Sequence, residues 1–270
     1  MALRSIELCA GYGGFTLGLR DYGIRTVAYV ERDSYAAATL VARMAEERLD
    51  QAPIWDDLCT FDGTAWRGRV DIITAGFPCQ PFSTAGNQRG VDDERWIWPN
   101  IAGIIADVRP RYVFLENVTG LIRAGLAHVL ADLAALGFDA EWGVLSAAAV
   151  GAPHRRQRVW ILADADDERH EPSHVGTQPA RGARDGATAG RWAFPPGPDD
   201  AAGWEAWTAS GGPQPAICRG PNGRPEGLAD ALHLGGNGLV PEVAAEAFRQ
   251  LSNRHDGRPH FNQITSQAAA

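Results

Sequence analysis

Lysine is absent from the sequence, so the 25 basic side chains other than histidine, among 270 residues, are all arginine. Acidic residues outnumber them, and the formal net charge is -8 at pH 7. An acidic chain is a poor candidate for a protein that coats nucleic acid nonspecifically, because such proteins bind the phosphate backbone through excess positive charge. A local basic cleft remains compatible with this composition.

Long apolar runs and clustered cysteines are also missing. No run approaches the ~20 apolar residues of a membrane-spanning helix, and the first residues lack the basic, apolar and small-residue order of a signal peptide. Four cysteines are spread over the chain without a C-x-x-C pair: Cys9, Cys59, Cys79 and Cys218. This spacing predicts neither a zinc site nor a disulfide framework. We therefore expect a cytoplasmic protein with no membrane span and no metal.

A cysteine lies between two prolines in the stretch VDIITAGFPCQPFS, which runs from Val70 to Ser83. The β-branched run at its start predicts a buried strand that ends before the Pro-Cys-Gln-Pro turn. Cys79 is then presented at the carboxyl end of a strand, where open α/β sheets bind their ligands, on a loop stiffened by Pro78 and Pro81. A small buried cysteine is the alternative interpretation. The flanking prolines favour a reactive thiol.

A glycine-rich turn, GYGG at residues 11–14, joins the first predicted strand, Ser5 to Ala10, to a helix that starts near Phe15. Glycines there let the backbone approach a ligand closely, and the first turn of the helix leaves N–H groups pointing at it. The second predicted strand, Thr26 to Val30, is followed by Glu31, at a distance from the glycines that suits an acceptor for two ribose hydroxyls. An exposed acid that begins the next helix is the alternative.

Two further segments have competing interpretations. Asp57 follows Trp55 at a position where an acid could accept the exocyclic amine of an adenine, or cap a turn. The polar, glycine-bearing segment from Gln88 to Trp98 is either a mobile segment over the site or an ordinary surface loop.

A second strand-end acid lies in the triplet ENV, whose glutamate is Glu116, after a strand predicted at Tyr112 to Leu115. A glutamate beside a cysteine at one sheet edge suggests a proton donor and a nucleophile that share a substrate. Three arginines precede the strand predicted at Val159 to Ala163: Arg155, Arg156 and Arg158. Arginines entering a buried strand need anionic partners or a phosphate, because desolvating them alone is costly. A structural ion pair with Glu116 is the alternative interpretation for one of the three, but it does not account for all of them.

The alternation of strands and helices predicts an α/β fold with four parts. Residues 1–163 form a catalytic and cofactor-binding domain. Residues 164–222, rich in Gly, Pro and Ala but containing tryptophans, form a small loop-rich recognition insert, with partial disorder as the alternative. Residues 223–252 return to the domain through a helix opened by Pro241, and residues 253–270 are a flexible tail.

These motifs together resemble the cytosine-5 DNA methyltransferases, in particular their short phage and prophage members. The resemblance covers about Ser5 to Ala163 and Gly235 to Leu251, with the glycine loop, Glu31, the Pro-Cys-Gln loop, ENV and the arginine cluster in the family's order. It implies a Rossmann-like S-adenosylmethionine-dependent methyltransferase fold: a mixed, mostly parallel sheet with helices on both faces.

The resemblance also implies a role for each matching residue. The chemistry would be carried by Cys79, Glu116 and Arg158, supported by Arg156. The S-adenosylmethionine pocket would be lined by Glu7, Cys9, Gly11, Gly14, Phe15, Glu31, Arg32, Asp57, Leu58, Gly76, Pro78 and Asn237. The substrate would be contacted by Gln80, Ser83, Arg95, Asn117 and Val118.

The implied activity moves a methyl group from S-adenosylmethionine to carbon 5 of a cytosine swung out of double-stranded DNA, through a Cys79 adduct at carbon 6, and leaves S-adenosylhomocysteine. The protein would act as a monomer on DNA, or with a partner chain for recognition, in a phage or restriction-modification setting within a bacterial or phage-infected cell. The alternatives are the same fold acting on RNA, transfer of a modified group from a donor analogue, and a DNA-binding subunit that needs a second chain. A nicotinamide-dependent oxidoreductase shares the first strand-glycine-helix unit but gives no reason for a proline-flanked cysteine.

Overall fold

A seven-stranded sheet forms the centre of the protein. The structure is a computed structural model that describes residues 2–78, 96–165 and 238–255. The strands are β1 (Leu3–Leu8), β2 (Ile24–Val30), β3 (Ile54–Trp55), β4 (Ile72–Gly76), β5 (Tyr112–Val118), β6 (Phe138–Ser146) and β7 (Gln157–Ala165). The α-helices are α1 (Gly14–Leu19), α2 (Ser34–Ala45), α3 (Trp98–Val108), α4 (Leu121–Ala124), α5 (Leu126–Ala135) and α6 (Pro241–His255). Short 3-10 turns lie at Arg20–Tyr22, Leu58–Thr60, Gly63–Trp66 and Ala147–Val150.

The strand order is β3-β2-β1-β4-β5-β7-β6, and β7 runs antiparallel to both of its neighbours. The remaining pairs are parallel. Strand β1 pairs with β2 on one side and with β4 on the other, so the direction in which the chain adds strands reverses at β1. Such a reversal opens a crevice at the carboxyl ends of β1 and β4. The predicted mixed, mostly parallel α/β sheet is confirmed, and the crevice lies where Cys79 was expected.

Both faces of the sheet are buried under helices. Along β5, Val113 and Leu115 pack with α3 and α5 on one face, whereas Phe114 packs with α1 and α6 on the other. Successive side chains of a strand point to opposite faces, so a strand covered on both sides is mostly apolar. This requirement explains the continuous apolar runs of β4, β5 and β7.

Local sequence explains where the helices begin. Asp33 caps α2 by accepting a hydrogen bond from the Ala36 N–H at 2.8 Å. A proline lies in the first turn of α3, and Pro241 opens α6 as predicted, because the first turn of a helix does not need the proline's missing N–H.

Several element boundaries differ from the prediction. The sequence pattern predicts a helix at residues 124–136, which corresponds to α5, but not the short helix α4 before it; Gly125, between the two, has φ -145° and ψ -18° and so lies outside the helical region. Strand β5 continues through ENV, and β7 begins at Gln157, so Glu116 and Arg158 lie within strands rather than after or before them. Strand β7 also takes the first two residues of the predicted insert, and α6 takes the first three of the predicted tail; the rest of both segments lies outside the described residues.

Two glycines of α1 allow α6 and the residues just before it to pack closely against α1. A Cβ at Gly18 would lie 2.4 Å from the Pro241 carbonyl oxygen, and one at Gly14 would lie 2.9 Å from the Leu239 carbonyl oxygen. Neither distance is tolerable for a side chain, so the close approach requires glycine at both positions. On the other side of α1, the Tyr22 hydroxyl donates to the Ala245 carbonyl at 3.0 Å and its ring packs against Phe248.

Candidate active site

A cavity of about 380 Å³ opens at the carboxyl ends of β1, β2, β4 and β5. Most predicted pocket residues that the structure describes line it: Glu7, Cys9, Gly11, Phe15, Glu31, Arg32, Asp57, Leu58, Gly76, Pro78, Glu116, Asn117, Val118 and Arg158. Gly14 and Arg156 are not part of this lining and lie behind it, against Leu239 and Gly238. The predictions for Cys79, Gln80, Ser83, Arg95 and Asn237 fall outside the described residues.

Glu7 holds the first turn of α1 against β1. Its carboxyl accepts hydrogen bonds from the Phe15 N–H at 3.1 Å and from the Thr16 N–H and hydroxyl at 3.0 and 2.5 Å. The Thr16 hydroxyl also lies 2.6 Å from that of Thr26. Burial raises the pKa of Glu7 to about 7, because desolvation outweighs the hydrogen bonds from Thr16 and Phe15. The carboxyl of Glu7 is thus both part of the cavity lining and a fixed support for α1.

Glu31 reaches from the end of β2 to the same loop. One carboxylate oxygen accepts the Gly11 N–H at 2.6 Å, and the other accepts the Asp33 N–H at 2.7 Å. These bonds orient the carboxylate at the cavity, where it was expected to meet ribose hydroxyls. The alternative was an exposed acid that begins the next helix; Glu31 does precede α2, but it is half-buried.

Asp57 caps a turn, which is one of its two predicted roles; the other, accepting the exocyclic amine of an adenine, stays a prediction. One carboxylate oxygen accepts the Cys59 N–H at 2.9 Å and so caps the 3-10 turn at Leu58–Thr60, and the residue also lines the cavity. A neighbouring lining residue, Cys9, has a φ of 52°, which is uncommon for a residue with a side chain. Burial, followed by the nearby charge of Glu31, raises the pKa of the Cys9 thiol to about 12, so this thiol is neutral near pH 7.

At the other end of the cavity, Glu116 and Arg158 form a largely buried ion pair. The Arg158 Nε lies 2.8 Å from Glu116 Oε1. The antiparallel register sets Arg158 opposite Val118, two residues beyond Glu116, which brings the two side chains together diagonally across β5 and β7. Burial raises the pKa of Glu116, although the charges of Arg158 and Arg156 oppose this shift. The ion pair considered from the sequence as one role for an arginine is therefore present, and both partners face the cavity.

Asn117 fixes the start of the loop that carries Cys79. Its side-chain amide donates to the Phe77 carbonyl at 3.2 Å, and its side-chain oxygen accepts the Val118 N–H at 2.8 Å. The buried amide thus joins the end of β5 to the residue two positions before Cys79. Pro78, directly before Cys79, lines the cavity.

The residues after the undescribed stretch 79–95 return to the same place. The Phe77 ring lies 5.8 Å from the ring of Trp96 and 5.8 Å from that of Trp98, measured between centroids. Trp98 is buried and begins α3. The last residue of the segment predicted to be mobile, Gln88 to Trp98, is therefore part of the core, and its first eight residues lie outside the described part.

The family model for C-5 cytosine-specific DNA methylases matches residues 3–185 of this chain. The chain belongs to the C-5 cytosine-specific DNA methylase family. The matched residues include every strand of the sheet and both members of the Glu116–Arg158 pair. The family resemblance found in the sequence is confirmed.

Individual methylases are also similar to this chain. The type II methyltransferase M.NgoMIV of Neisseria gonorrhoeae is 36% identical over 167 residues, which are 60% of this chain and 52% of that protein. The type II methyltransferase M.CviJI of Paramecium bursaria Chlorella virus IL3A is 33% identical over 178 residues, 65% of this chain and 46% of that protein. The chain spans about half the length of these curated relatives.

Two solved structures have a similar fold. A DNMT2 mutant of Spodoptera frugiperda is 22% identical, with a TM-score of 0.51 over 62% of this chain and 51% of that one. The methyltransferase EhMeth of Entamoeba histolytica is 14% identical, with a TM-score of 0.51 over 66% of this chain and 58% of that one. At these identities the likeness concerns the fold alone, the Rossmann-like methyltransferase fold predicted from the sequence.

Other lining residues of this methylase cavity were not singled out from the sequence: Ala10, Val30, Asp33, Ala36, Cys59, Phe77, Ile97, Gly238 and Leu239. Cys59 and Phe77 directly adjoin predicted pocket residues, so a wider window around each motif would have included them. Ile97 and Leu239 carry no such signal, because they enter the cavity only through the packing of α3 and α6.

Within residues 2–78, 96–165 and 238–255, no helix is both long and apolar enough to cross a bilayer. In the same ranges, no three His, Cys, Asp or Glu side chains are grouped as a metal site would require.

Proposed function

We propose that the protein is a DNA (cytosine-5)-methyltransferase that transfers a methyl group from S-adenosylmethionine to a flipped-out cytosine. The observation that carries the proposal is a single cavity that joins the lining from β1 and β2 to the Glu116–Arg158 pair on β5 and β7. Methyl donor and cytosine must meet within one enclosure, and we assign the β1–β2 end of the cavity to the donor and the β5–β7 end to the cytosine. Family membership supports the same assignment.

The residues at the β1–β2 end suit S-adenosylmethionine. The cavity volume falls within the range of ~300–1,000 Å³ of small-molecule sites. Glu31 would accept the ribose hydroxyls and Asp57 the adenine amine, while Phe15 and Leu58 would supply apolar contact. When bound, S-adenosylmethionine supplies an electrophilic methyl carbon on a sulfonium.

The other end of the cavity suits an activated cytosine. The Cys79 thiolate would add to carbon 6 while Glu116 gives a proton to N3, which makes carbon 5 an enamine-like nucleophile. Carbon 5 would then bond to the methyl carbon as the carbon–sulfur bond of the sulfonium breaks, which leaves S-adenosylhomocysteine. Loss of the carbon 5 proton to a base expels the Cys79 thiolate, and the N3 proton returns to Glu116.

The Glu116–Arg158 geometry explains why the pair can serve this sequence of steps. Burial raises the pKa of Glu116, which makes the protonated carboxyl easier to reach than in an exposed glutamate, although the charges of Arg158 and Arg156 oppose this shift. Arg158 at 2.8 Å stabilises the carboxylate once the proton has left. The guanidinium would also stabilise charge on the cytosine carbonyl oxygen.

Asn117 and Phe77 would position the nucleophile. We assign Asn117 a positioning role, because its amide donates to the backbone at Phe77. Exposed arginines near this edge, Arg123 and Arg155, would supply positive charge for the phosphates of double-stranded DNA despite the acidic composition. Action as a monomer and in a phage or restriction-modification setting remain predictions.

The proposal is tested by incubating the protein with S-adenosylmethionine labelled in its methyl group and either unmethylated duplex DNA or tRNA. We expect label in DNA, recovered as 5-methylcytosine. Label only in tRNA would replace the DNA assignment by an RNA one, and label in neither would remove the proposed activity.

The covalent step has its own test. In the presence of S-adenosylmethionine, duplex DNA containing 5-fluorocytosine should form an adduct with the protein that survives denaturing electrophoresis, because carbon 5 then carries both the methyl group and fluorine and has no proton whose loss could expel the thiolate. Cys79→Ser should abolish both this adduct and methylation, while binding of S-adenosylhomocysteine changes by less than about threefold, which is under 1 kcal/mol. Methylation that persists in Cys79→Ser would exclude Cys79 as the nucleophile.

A further inference from the structure

One wall of the cavity comes from the far end of the chain. Gly238 and Leu239 line it, directly before α6. Their two consecutive carbonyl oxygens each accept a hydrogen bond from a side chain elsewhere in the fold. Arg156 Nη2 donates to the Gly238 carbonyl at 2.5 Å, and the Tyr12 hydroxyl donates to the Leu239 carbonyl.

Tyr12 is itself held in place. The Arg43 guanidinium carbon lies 4.8 Å from the centroid of the Tyr12 ring, and Arg43 Nη1 donates to the Tyr12 carbonyl at 2.8 Å. Burial raises the pKa of Tyr12 to about 12, so the hydroxyl keeps the proton that it donates. The tyrosine therefore presents a fixed donor to the wall.

The wall is also close to the glycine loop and to the catalytic pair. Gly14 leaves no room between α1 and Leu239, as described above. Arg156 donates to the Gly238 carbonyl, and its charge opposes the burial that raises the pKa of both Tyr12 and Glu116, so the guanidinium interacts with the wall and with the carboxyl at the other end of the cavity. A shift of the wall would therefore change the shape of the cavity where the cofactor is expected.

We propose that Tyr12 is a positioning residue that, together with Arg156, holds the Gly238–Leu239 backbone as a wall of the cofactor cavity. The inference rests on the proposed function, because it assigns S-adenosylmethionine to this cavity. Tyr12 need not touch the cofactor; its hydroxyl acts through the Leu239 carbonyl.

A simpler explanation is that Tyr12 only helps to dock α6 on α1. The fold contains a matched control for that explanation. Tyr22 also donates its hydroxyl to a backbone carbonyl of α6, at Ala245, and neither residue lines the cavity. If docking alone matters, removing either hydroxyl should have the same effects.

The experiment compares Tyr12→Phe with Tyr22→Phe in the full-length protein. Calorimetry gives the dissociation constant for S-adenosylhomocysteine, and thermal unfolding gives the loss of stability. We expect Tyr12→Phe to weaken S-adenosylhomocysteine binding roughly three- to tenfold, the effect of one hydrogen bond, with Tyr22→Phe within about twofold of wild type. The KM for S-adenosylmethionine should rise by the same factor in Tyr12→Phe, with kcat nearly unchanged.

Equal losses of affinity in the two variants, a loss in Tyr22→Phe alone, or no loss in either would overturn the inference while leaving the proposed function intact. A wild-type protein that fails to bind S-adenosylhomocysteine would instead defeat the proposed function, and the inference with it. A fall in kcat without a change in KM would also contradict a positioning role at the cofactor wall.

Discussion

Two buried carboxyls face the same cavity from β1 and β5, which are separated only by β4. Glu7 accepts hydrogen bonds from the first turn of α1, whereas Glu116 is paired with the guanidinium of Arg158. Burial raises the pKa of both. Their partners separate their roles. Donors in the backbone and in Thr16 make Glu7 part of the framework, whereas a charged side chain that also faces the cavity suits Glu116 to exchange a proton with a substrate.

The largest effect is expected from Glu116→Gln. The amide can still accept a hydrogen bond from Arg158, but it has no carboxyl proton to give to cytosine N3. We expect the single-turnover methylation rate to fall by ~10²–10⁴, the usual contribution of a general acid. Binding of S-adenosylhomocysteine, measured by calorimetry, should stay within about twofold.

The control for this variant is Glu141→Gln on β6, away from the cavity. A Glu116→Gln rate within tenfold of the Glu141→Gln rate would mean that Glu116 does not act as the proton donor. The difference in role between Glu7 and Glu116 would then not hold.

The second effect concerns the pH dependence of folding. Glu7 releases its proton near 4.5 in the unfolded chain but near 7 in the folded protein. Between these values the folded state binds the extra proton, so the free energy of unfolding falls as pH rises through this window and changes no further above it. The full contribution of Glu7 is about 3 kcal/mol, from 1.36 kcal/mol per pKa unit.

Denaturant titrations of wild type and Glu7→Gln between pH 4 and pH 8 check this prediction. The difference between the two free energies isolates Glu7 from the other carboxyls. This difference, wild type minus Glu7→Gln, should fall as pH rises from about 4.5 to about 7. A difference that does not change with pH would show that Glu7 titrates as an ordinary glutamate.

The smallest effect is expected from Thr16→Val, which removes the hydroxyl between Glu7 and Thr26 but keeps the side-chain shape. A buried hydroxyl bonded to a carboxyl should contribute about 1–3 kcal/mol to the free energy of unfolding. Thr39→Val is the matched control, because the exposed Thr39 hydroxyl bonds only within α2. Equal losses in the two variants would mean that the Glu7 network adds nothing to the framework.

Much of the fold follows from local sequence. The apolar runs at β4, β5 and β7 predicted their strands, since a strand covered on both faces is mostly apolar. Glu31 follows the apolar run of β2 and Glu116 that of β5, and the carboxyl ends of parallel strands meet at one edge, which explains why both acids were predicted to line one site. The cost of burying an arginine alone suggested an ion pair between Glu116 and one of three arginines, and the structure shows that its partner is Arg158.

The remaining features depend on contacts between distant residues. The Tyr12 hydroxyl meets a carbonyl 227 residues away, and Arg156 meets one 82 residues away. No local pattern encodes these distances, because they are set by the way α6 packs on α1. The same holds for Glu7, whose role as a support for α1 is visible only once the helix has turned back over β1. The non-helical backbone at Gly125, near the start of the helix predicted at residues 124–136, was missed because a single glycine can also be accommodated within a helix.

The placement of Gly238 and Leu239 in the cavity wall has a consequence for the order in which the protein is made. A ribosome releases the amino end first, and residues 3–165 contain every strand of the sheet. A nascent chain that has not yet reached Gly238 can therefore contain both Glu31 and Glu116 and still lack one side of the enclosure. Translation itself thus delays assembly of the full site until the codons for Gly238 and Leu239 have been read.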